Sequence, residues 1–161
     1  MQIRNLLPAL ILLLGPPILR AQAHLNCPMR PATLAAMRHC YRPLLIFSPS
    51  VHDARLKQQQ AALDADADDM MDRFVLLTPF APSMKGYAAP LDAPYALLDS
   101  RQAEAARRRF HVSADQFAVI LLDEGGAEKL RSDKPVSASS LNRLIDGIPR
   151  RKWEMQQPNA N

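Results

Sequence analysis

The chain of 161 residues is poor in cysteine and in aromatic side chains, and each shortage excludes a class of protein. Its two cysteines, Cys27 and Cys40, lie about a dozen residues apart, so the CxxC motif of dithiol oxidoreductases is absent. Aromatic residues make up only 6% of the chain. Proteins that bind nucleic acids usually combine a clustered basic face with aromatic side chains on which bases stack. We therefore expect no nucleic-acid partner.

Long apolar runs are scarce as well, and the longest one stands near the N-terminus. Residues 6–19 form an apolar core that Gly15-Pro16-Pro17 interrupts, and it is shorter than the roughly twenty residues of a membrane-spanning helix. Arg4 precedes this core, and the small residues of Ala21-Gln22-Ala23 follow it. This layout is typical of a secretory signal peptide. We expect cleavage after residue 23, no stable membrane anchor afterwards, and a periplasmic or extracellular protein.

Export would place both cysteines in an oxidising compartment, where two thiols most often become one disulfide. In the chain-entropy model, closure of the short loop between Cys27 and Cys40 stabilises a fold by about 3 kcal/mol. Two alternatives stay open. Together with His24 and His39, the two thiolates form a set of nitrogen and sulfur ligands suited to copper(I) or zinc. A free thiol pair would instead serve as a redox site.

After the signal peptide of residues 1–23, the chain divides into an N-terminal arm, one domain and a tail, at residues 24–42, 43–155 and 156–161. The charge is nearly balanced, since removal of the signal peptide leaves 18 basic against 16 acidic residues. The domain opens with residues 43–47, a continuous apolar run typical of a buried central strand.

A helix follows this strand, with Ser50 or Asp53 as its N-cap, and we expect it to reach Met71. Residues 74–77 then form a second buried strand. Residues 78–96 contain four prolines and one glycine and predict a long irregular loop.

The second half of the domain begins with a helix over residues 101–110, capped by Asp99. Residues 117–122 are the strongest strand of the chain. After the turn at Gly125 and Gly126, residues 127–131 form its antiparallel partner.

The last helix begins at Ser137 or Ser139 and ends at Gly147 and Pro149, and its apolar residues recur at helical spacing. The resulting order is β-α-β-loop-α-β-β-α. The early alternation implies a parallel strand pair, whereas the late hairpin adds antiparallel strands. The sequence therefore predicts an α/β, thioredoxin-like fold, with a mixed central sheet flanked by helices and no CxxC motif.

Four segments resemble the P-DUDES domain, a thioredoxin-like domain of unknown function in exported bacterial proteins and in vertebrate sushi-repeat and matrix proteins. They read RPLLIFSPS, FAVILLDEGG, KLRSDKP and IDGIPRRKWEM, at residues 42–50, 117–126, 129–135 and 145–155. The resemblance implies a thioredoxin-like fold and a home outside the cytoplasm. It implies no particular activity.

Redox-active thioredoxins carry their thiols just after the first buried strand, at a helix N-terminus. Residues 48–54 take that position here and contain no sulfur. Ser50, His52 and Asp53 are candidate catalytic residues there, because a serine beside an oriented base can act as a nucleophile. The alternative is that they cap the helix and face solvent.

Two charged clusters complete the candidates. The acidic residues between 64 and 69 do not fit a calcium-binding EF-hand loop, which needs glycine at its sixth position and glutamate at its twelfth. We expect these acids to form a solvated helix end facing residues 107–109. The basic cluster can bind a carboxylate or phosphate, and it consists of Lys129, Arg131, Lys134, Arg150, Arg151 and Lys152, with Trp153 beside it.

These features predict an exported domain that works by binding rather than by turnover. Its partner would be a protein or an anionic ligand, with no cofactor, and its contact surfaces would be the proline-rich loop and the basic C-terminal end. The alternative is a redox- or metal-handling protein that uses Cys27 and Cys40.

Overall fold

The computed structural model describes residues 27–156. The predicted signal peptide, His24 and residues 157–161 lie outside this range. Four strands are present in the described residues: β1 Arg42–Phe47, β2 Val75–Phe80, β3 Ala118–Leu122 and β4 Glu128–Ser132. The helices there are α1 Leu34–Met37, α2 Ala54–Asp64, α3 Ala67–Asp72, α4 Ser100–Phe110, α5 Ala138–Asp146 and α6 Pro149–Met155. Within residues 27–156, no helix has the length and apolar character needed to cross a membrane.

The four strands form one mixed sheet in the order β2-β1-β3-β4. β1 pairs in parallel with β2 and antiparallel with β3, and β3 pairs antiparallel with β4. β1 is therefore a central strand, as its unbroken apolar run predicts, and all six of its residues are buried. The predicted mixed sheet of parallel and antiparallel strands is confirmed.

Helices cover both faces of the sheet. Because side chains alternate along β1, its residues contribute in turn to the two cores between sheet and helices. Leu44 and Ile46 pack on one face with apolar residues of α2, α3 and α5. Leu45 and Phe47 pack on the other face with residues of α1 and α4. The fold thus has three layers, and α2 begins at the C-terminal end of β1.

The second strand is longer than the sequence predicts. The sequence predicts a loop that begins at Thr78, but β2 continues through Pro79 to Phe80. Leu77 exchanges backbone hydrogen bonds with Pro94 and Ala96 on the outer side of the sheet, at 2.9 and 2.8 Å. Pro79 stands two residues later and faces the same outer edge, where a strand tolerates a residue without an N–H group.

Two helix boundaries also differ from prediction. The single helix expected as far as Met71 is interrupted after Asp64, and α3 begins separately at Ala67. Asp66 interrupts it because its backbone, at φ −115° and ψ 35°, is not helical. Pro149 does not merely end α5 but begins α6 as its first residue, a position where the missing N–H has no helical partner in any case.

The N-terminal arm is part of the core. Met37 of α1 is completely buried against the face formed by Leu45 and Phe47. The Arg38 guanidinium donates to the carbonyl oxygen of Gly125 through Nε at 3.0 Å and Nη2 at 2.7 Å. The arm is therefore fixed to the β3–β4 turn.

Candidate functional site

The loop between β1 and α2, residues 48–53, is the position at which the predicted fold would carry catalytic thiols. Ser48 is buried, and its hydroxyl donates to the carbonyl oxygen of Ser50 at 2.8 Å. The Ser50 hydroxyl accepts from the backbone N–H of His52 at 3.1 Å. The Asp53 carboxylate accepts from the N–H of Arg55 at 2.8 Å and so caps α2. These contacts build a turn and a helix start.

Ser50, His52 and Asp53 are close in the chain, but their side chains do not bond to one another in the described structure. The Asp53 carboxylate forms a two-pronged ion pair with the Arg55 guanidinium, at 3.0 and 2.7 Å. This hydrogen bonding, more than the backbone contacts, lowers the pKa of Asp53. The carboxylate that a nucleophile–base arrangement would need is thus engaged by Arg55.

Arg107, on α4 at the other face of the sheet, stabilises the corner at residues 48–53. Its Nη2 donates to the carbonyl oxygens of Ser48 and Phe80, at 3.0 and 3.3 Å, and its Nη1 donates to that of Ser113 at 2.7 Å. Its guanidinium also lies 5.5 Å from the ring centroid of Phe47. Burial lowers the pKa of Arg107, although an arginine remains charged in proteins. No motif in the sequence indicates this role.

The acidic run has a different role from the one predicted. The Asp64 carboxylate accepts from the backbone N–H groups of Leu91, Asp92 and Ala93, at 3.0, 2.7 and 2.8 Å. These bonds, that of Ala93 first, lower the pKa of Asp64. The expectation of a solvated helix end facing residues 107–109 is therefore wrong for Asp64, which holds the proline-rich loop instead.

The proline-rich loop, residues 81–99 in the structure, is anchored on its inner side, which faces α2. The Tyr87 hydroxyl donates to Oε1 of Gln60 at 2.8 Å, and Nε2 of Gln60 donates to the carbonyl oxygen of Ala88 at 2.7 Å. Burial raises the pKa of Tyr87, so its hydroxyl stays protonated. Three apolar or aromatic side chains of the loop are exposed to solvent, namely Leu91 by 90%, Tyr95 by 40% and Leu97 by 49%. We call these three residues the outer face of the loop.

A cleft of about 350 Å³ separates the inner side of this loop from α2. Helix residues that line it include Leu56, Lys57 and Gln60, and the loop contributes residues 86–90. His52 stands at the same cleft. The candidate binding space is therefore the cleft between α2 and the proline-rich loop, beside the corner at residues 48–53.

The basic residues of the β3–β4 hairpin are mostly paired. Lys129 lies 3.0 Å from the carboxylate of Asp123, and Arg131 lies 2.7 Å from that of Glu128. Lys134 is exposed and has no carboxylate partner in the described structure. The hairpin thus offers little free positive charge to a ligand.

The C-terminal basic residues split into buried and exposed groups. Arg151 is buried and forms an ion pair with Asp72, while Arg150 lies 3.7 Å from Glu154. Lys152 and Trp153 are exposed, Trp153 by 54%. Of the predicted anion-binding cluster, the structure leaves Lys134 and Lys152 without an ion-pair partner among the described residues, and it places Arg151 in the interior.

A buried charge cluster lies where β1 begins, and the sequence does not indicate it. Arg42 is completely buried and forms an ion pair with Glu124 and a second with Glu154, the latter at 3.0 Å. Its Nη1 also donates to the carbonyl oxygen of Arg73 at 2.7 Å. This cluster joins β1, the β3–β4 turn and α6, so it serves the fold.

The two cysteines form a disulfide in the structure, between Cys27 in the arm and Cys40 just before β1. The bond lies at the N-terminal end of β1, opposite the corner at residues 48–53. His39 stands beside Cys40 in the chain, whereas His24 lies outside the described residues. From residue 27 to residue 156, no group of three or more potential ligands is arranged to hold a metal ion.

Comparisons with known proteins found one matching family model and several solved structures of similar fold. The model of a family described as "Domain of unknown function (DUF4174)" matches residues 33–154. No curated protein matches the chain.

Solved structures with the same fold include thioredoxin peroxidase I of Plasmodium yoelii, with a TM-score of 0.58, 20% identity, and coverage of 80% of this chain and 84% of that one. Reduced 2-Cys peroxiredoxin of Plasmodium vivax gives a TM-score of 0.53 and 20% identity, over 74% and 84% of the two chains. The mitochondrial 2-Cys peroxiredoxin of Plasmodium falciparum gives 0.51 and 12% identity, over 78% and 86%. The predicted thioredoxin-like fold is confirmed, and at these identities the likeness concerns the fold alone.

Proposed function

Because this chain belongs to the DUF4174 family, whose description names no activity, we propose from its own residues that it is an exported thioredoxin-like binding module. Its contact surface is the outer face of the proline-rich loop. It acts by holding a protein partner rather than by turning over a substrate.

The observation that carries this proposal is a loop that is anchored from inside while it displays apolar side chains outside. Asp64 holds three consecutive backbone amides of the loop, and Gln60 holds it at two further atoms. Leu91, the most exposed of the displayed side chains, stands within the segment that Asp64 fixes. A surface ordered before binding loses less conformational entropy when the partner arrives, so its contacts contribute more to affinity.

The corner at residues 48–53 supports the same conclusion. A serine nucleophile needs an oriented base and donors for the developing oxyanion. Here the Ser50 hydroxyl is occupied by a backbone N–H, and Asp53 is paired with Arg55. The polar groups of the corner thus support the turn between β1 and α2.

The proposal has three finer parts, of which the first two rest mainly on the sequence. The signal-peptide pattern supports export to the periplasm or beyond, and a disulfide in the arm suits an oxidising compartment. The segments at residues 42–50 and 145–155 support a relationship to the P-DUDES domain. The exposed Lys152 and Trp153 supply a secondary surface for an anionic ligand.

Site-specific photo-crosslinking in cells that export the full chain tests the binding surface. A photoreactive amino acid at position 91 or 97 should give the same crosslinked protein, which mass spectrometry identifies. Position 71 is the matched control, because Met71 is as exposed as Leu97, at 49%, but lies on α3. Adducts of equal yield at all three positions, or none at 91 and 97, would contradict the proposal.

A second candidate function, redox or metal handling by Cys27 and Cys40, is favoured by one observation. Neither cysteine is fully buried, and thiol exchange requires such access to the disulfide. A structural disulfide has a reduction potential below about −300 mV, whereas exchanging pairs lie at higher values. Measurement of that potential, together with native mass spectrometry of the reduced protein with zinc or copper(I), decides between the two functions.

A further inference from the structure

The cleft between α2 and the proline-rich loop has the dimensions of a small-molecule site. Its volume of about 350 Å³ falls within the roughly 300–1,000 Å³ of ligand pockets in proteins. None of the three outer-face residues, Leu91, Tyr95 and Leu97, is among the residues that line it.

The interior of the cleft is apolar and its walls are fixed. Val51 and Leu56, both buried, line it from the side of α2. Tyr87 lines the opposite wall, and its hydroxyl is bound to Gln60, so the ring is held in place. Such a space suits a flat apolar body of a few carbon atoms.

Most polar groups of the cleft are already occupied. Gln60 bonds to Tyr87 and to Ala88, and the Asp64 carboxylate accepts from three loop amides. Asp64 lies two helical turns beyond Lys57, which corresponds to about 10 Å along the helix axis. The negative charge is thus both satisfied and displaced to one end.

Two polar side chains remain available at the other end. His52 and Lys57 are among the residues that line the cleft, both are exposed, and neither side chain makes a hydrogen bond or ion pair among the described residues. Gly86 brings the loop over this end, since a Cβ built on it would stand 3.9 Å from Cε1 of His52. Its positive φ of 78° is a conformation that glycine adopts without strain.

We propose that this cleft binds a small amphipathic anion, an aromatic or branched carboxylate, with its charged group at Lys57 and His52 and its apolar body against Leu56 and Tyr87. The ammonium attracts the carboxylate, and the imidazole offers a hydrogen bond to it. Tyr87 and the buried side chains of α2 remove the apolar part from water. This site goes beyond the proposed protein contact and does not depend on it.

Titration of the ¹⁵N-labelled full chain with benzoate, followed by two-dimensional NMR, tests the site. Benzoate is expected to shift amide signals of residues 51–64 and 86–90 saturably, with a Kd on the order of 1 mM, as for a fragment of this size. Benzyl alcohol, a neutral analogue of similar size, should bind at least about tenfold more weakly, since it lacks the charge-assisted hydrogen bond.

Three variants sharpen this test. Lys57→Gln should weaken benzoate binding about tenfold, whereas the control Arg101→Gln, which removes an exposed positive charge on α4 away from the cleft, should leave it unchanged. Ala61→Leu fills the cleft from an exposed helix position and should abolish the saturable shifts while the thermal unfolding curve stays the same. Shifts scattered over the surface, equal binding of benzyl alcohol, or equal effects of the Lys57 and Arg101 variants would overturn the proposal. Crosslinking from positions 91 and 97 is read separately, so failure of one proposal does not imply failure of the other.

Discussion

The disulfide between Cys27 and Cys40 gives the sharpest stability prediction. The change is the double variant Cys27→Ser with Cys40→Ser, which removes the bond and leaves no free thiol. The bond closes a loop with a sequence separation of 13 residues, and that loop contains α1. Met37 of α1 is completely buried, so the loop belongs to the cooperative fold.

The magnitude follows from the length of this loop. In the chain-entropy model, opening it returns about 10 cal/mol/K to the unfolded chain, which lowers the free energy of unfolding by about 3 kcal/mol. The residues from 27 to 156 have an unfolding entropy of roughly 270 cal/mol/K at the average of about 2.1 per residue. The expected fall in Tm is therefore about 11 °C.

Thermal unfolding followed by circular dichroism measures this fall on the purified protein with its disulfide formed. Wild-type protein reduced with a phosphine should match the double variant, because both lack the same crosslink. A fall of less than about 3 °C would refute the reasoning, since it would mean that the arm unfolds apart from the sheet. A fall much above 11 °C would show that the serine side chains disturb the packing of α1 as well.

Three further predictions concern charged groups. Glu124→Ala removes one of the two carboxylate partners of the buried Arg42. Urea denaturation should show a free energy of unfolding lower by about 3 kcal/mol, and unchanged stability would contradict this prediction. Asp64→Asn should speed hydrogen exchange at the three loop amides that its carboxylate holds, while amides of the central strand keep their rates; uniform change would count against a local role. Asp146 has a lowered pKa, chiefly through its hydrogen bond with Arg73, so its contribution to stability is present above about pH 4 and is lost as the pH falls below its folded pKa. Asp146→Asn should flatten that acid limb of the stability curve, and an unchanged limb would assign it to other carboxylates.

Where the sequence predicts correctly, the cause is local. The Asp99 carboxylate accepts from the N–H of Gln102 at 2.8 Å, as a cap three residues earlier requires. Ser137 caps α5 in the same way, and the Gly125-Gly126 turn joins β3 to β4. Each of these contacts spans only a few residues, so its partners are visible side by side in the sequence.

The sequence-based predictions are wrong where the role of a residue depends on a contact with a residue far away in the chain. Pro79 suggests the start of a loop, yet it belongs to β2. Its nitrogen, which carries no hydrogen, faces the outer edge of the sheet, where no neighbouring strand needs a donor. Arg151 suggests a ligand-binding surface, yet it is buried on Asp72, a residue on α3. Arg107 fixes the corner at residues 48–53 through carbonyl oxygens from three separate segments. No pattern of neighbouring residues contains that information.

The sequence by itself determined the central strand, the mixed α/β architecture and the lack of a CxxC motif, because burial on both faces, helix caps and turns are local in the chain. Only the tertiary structure decided which charges are free and which are part of the fold. The sequence predicts Asp64 in a solvated helix end that faces Arg107, and it predicts Arg151 in a ligand-binding cluster. Each of the three side chains is instead bonded to backbone or carboxylate groups many residues away. The chemistry of a charged side chain depends on its partners, and in this chain the sheet brings those partners together.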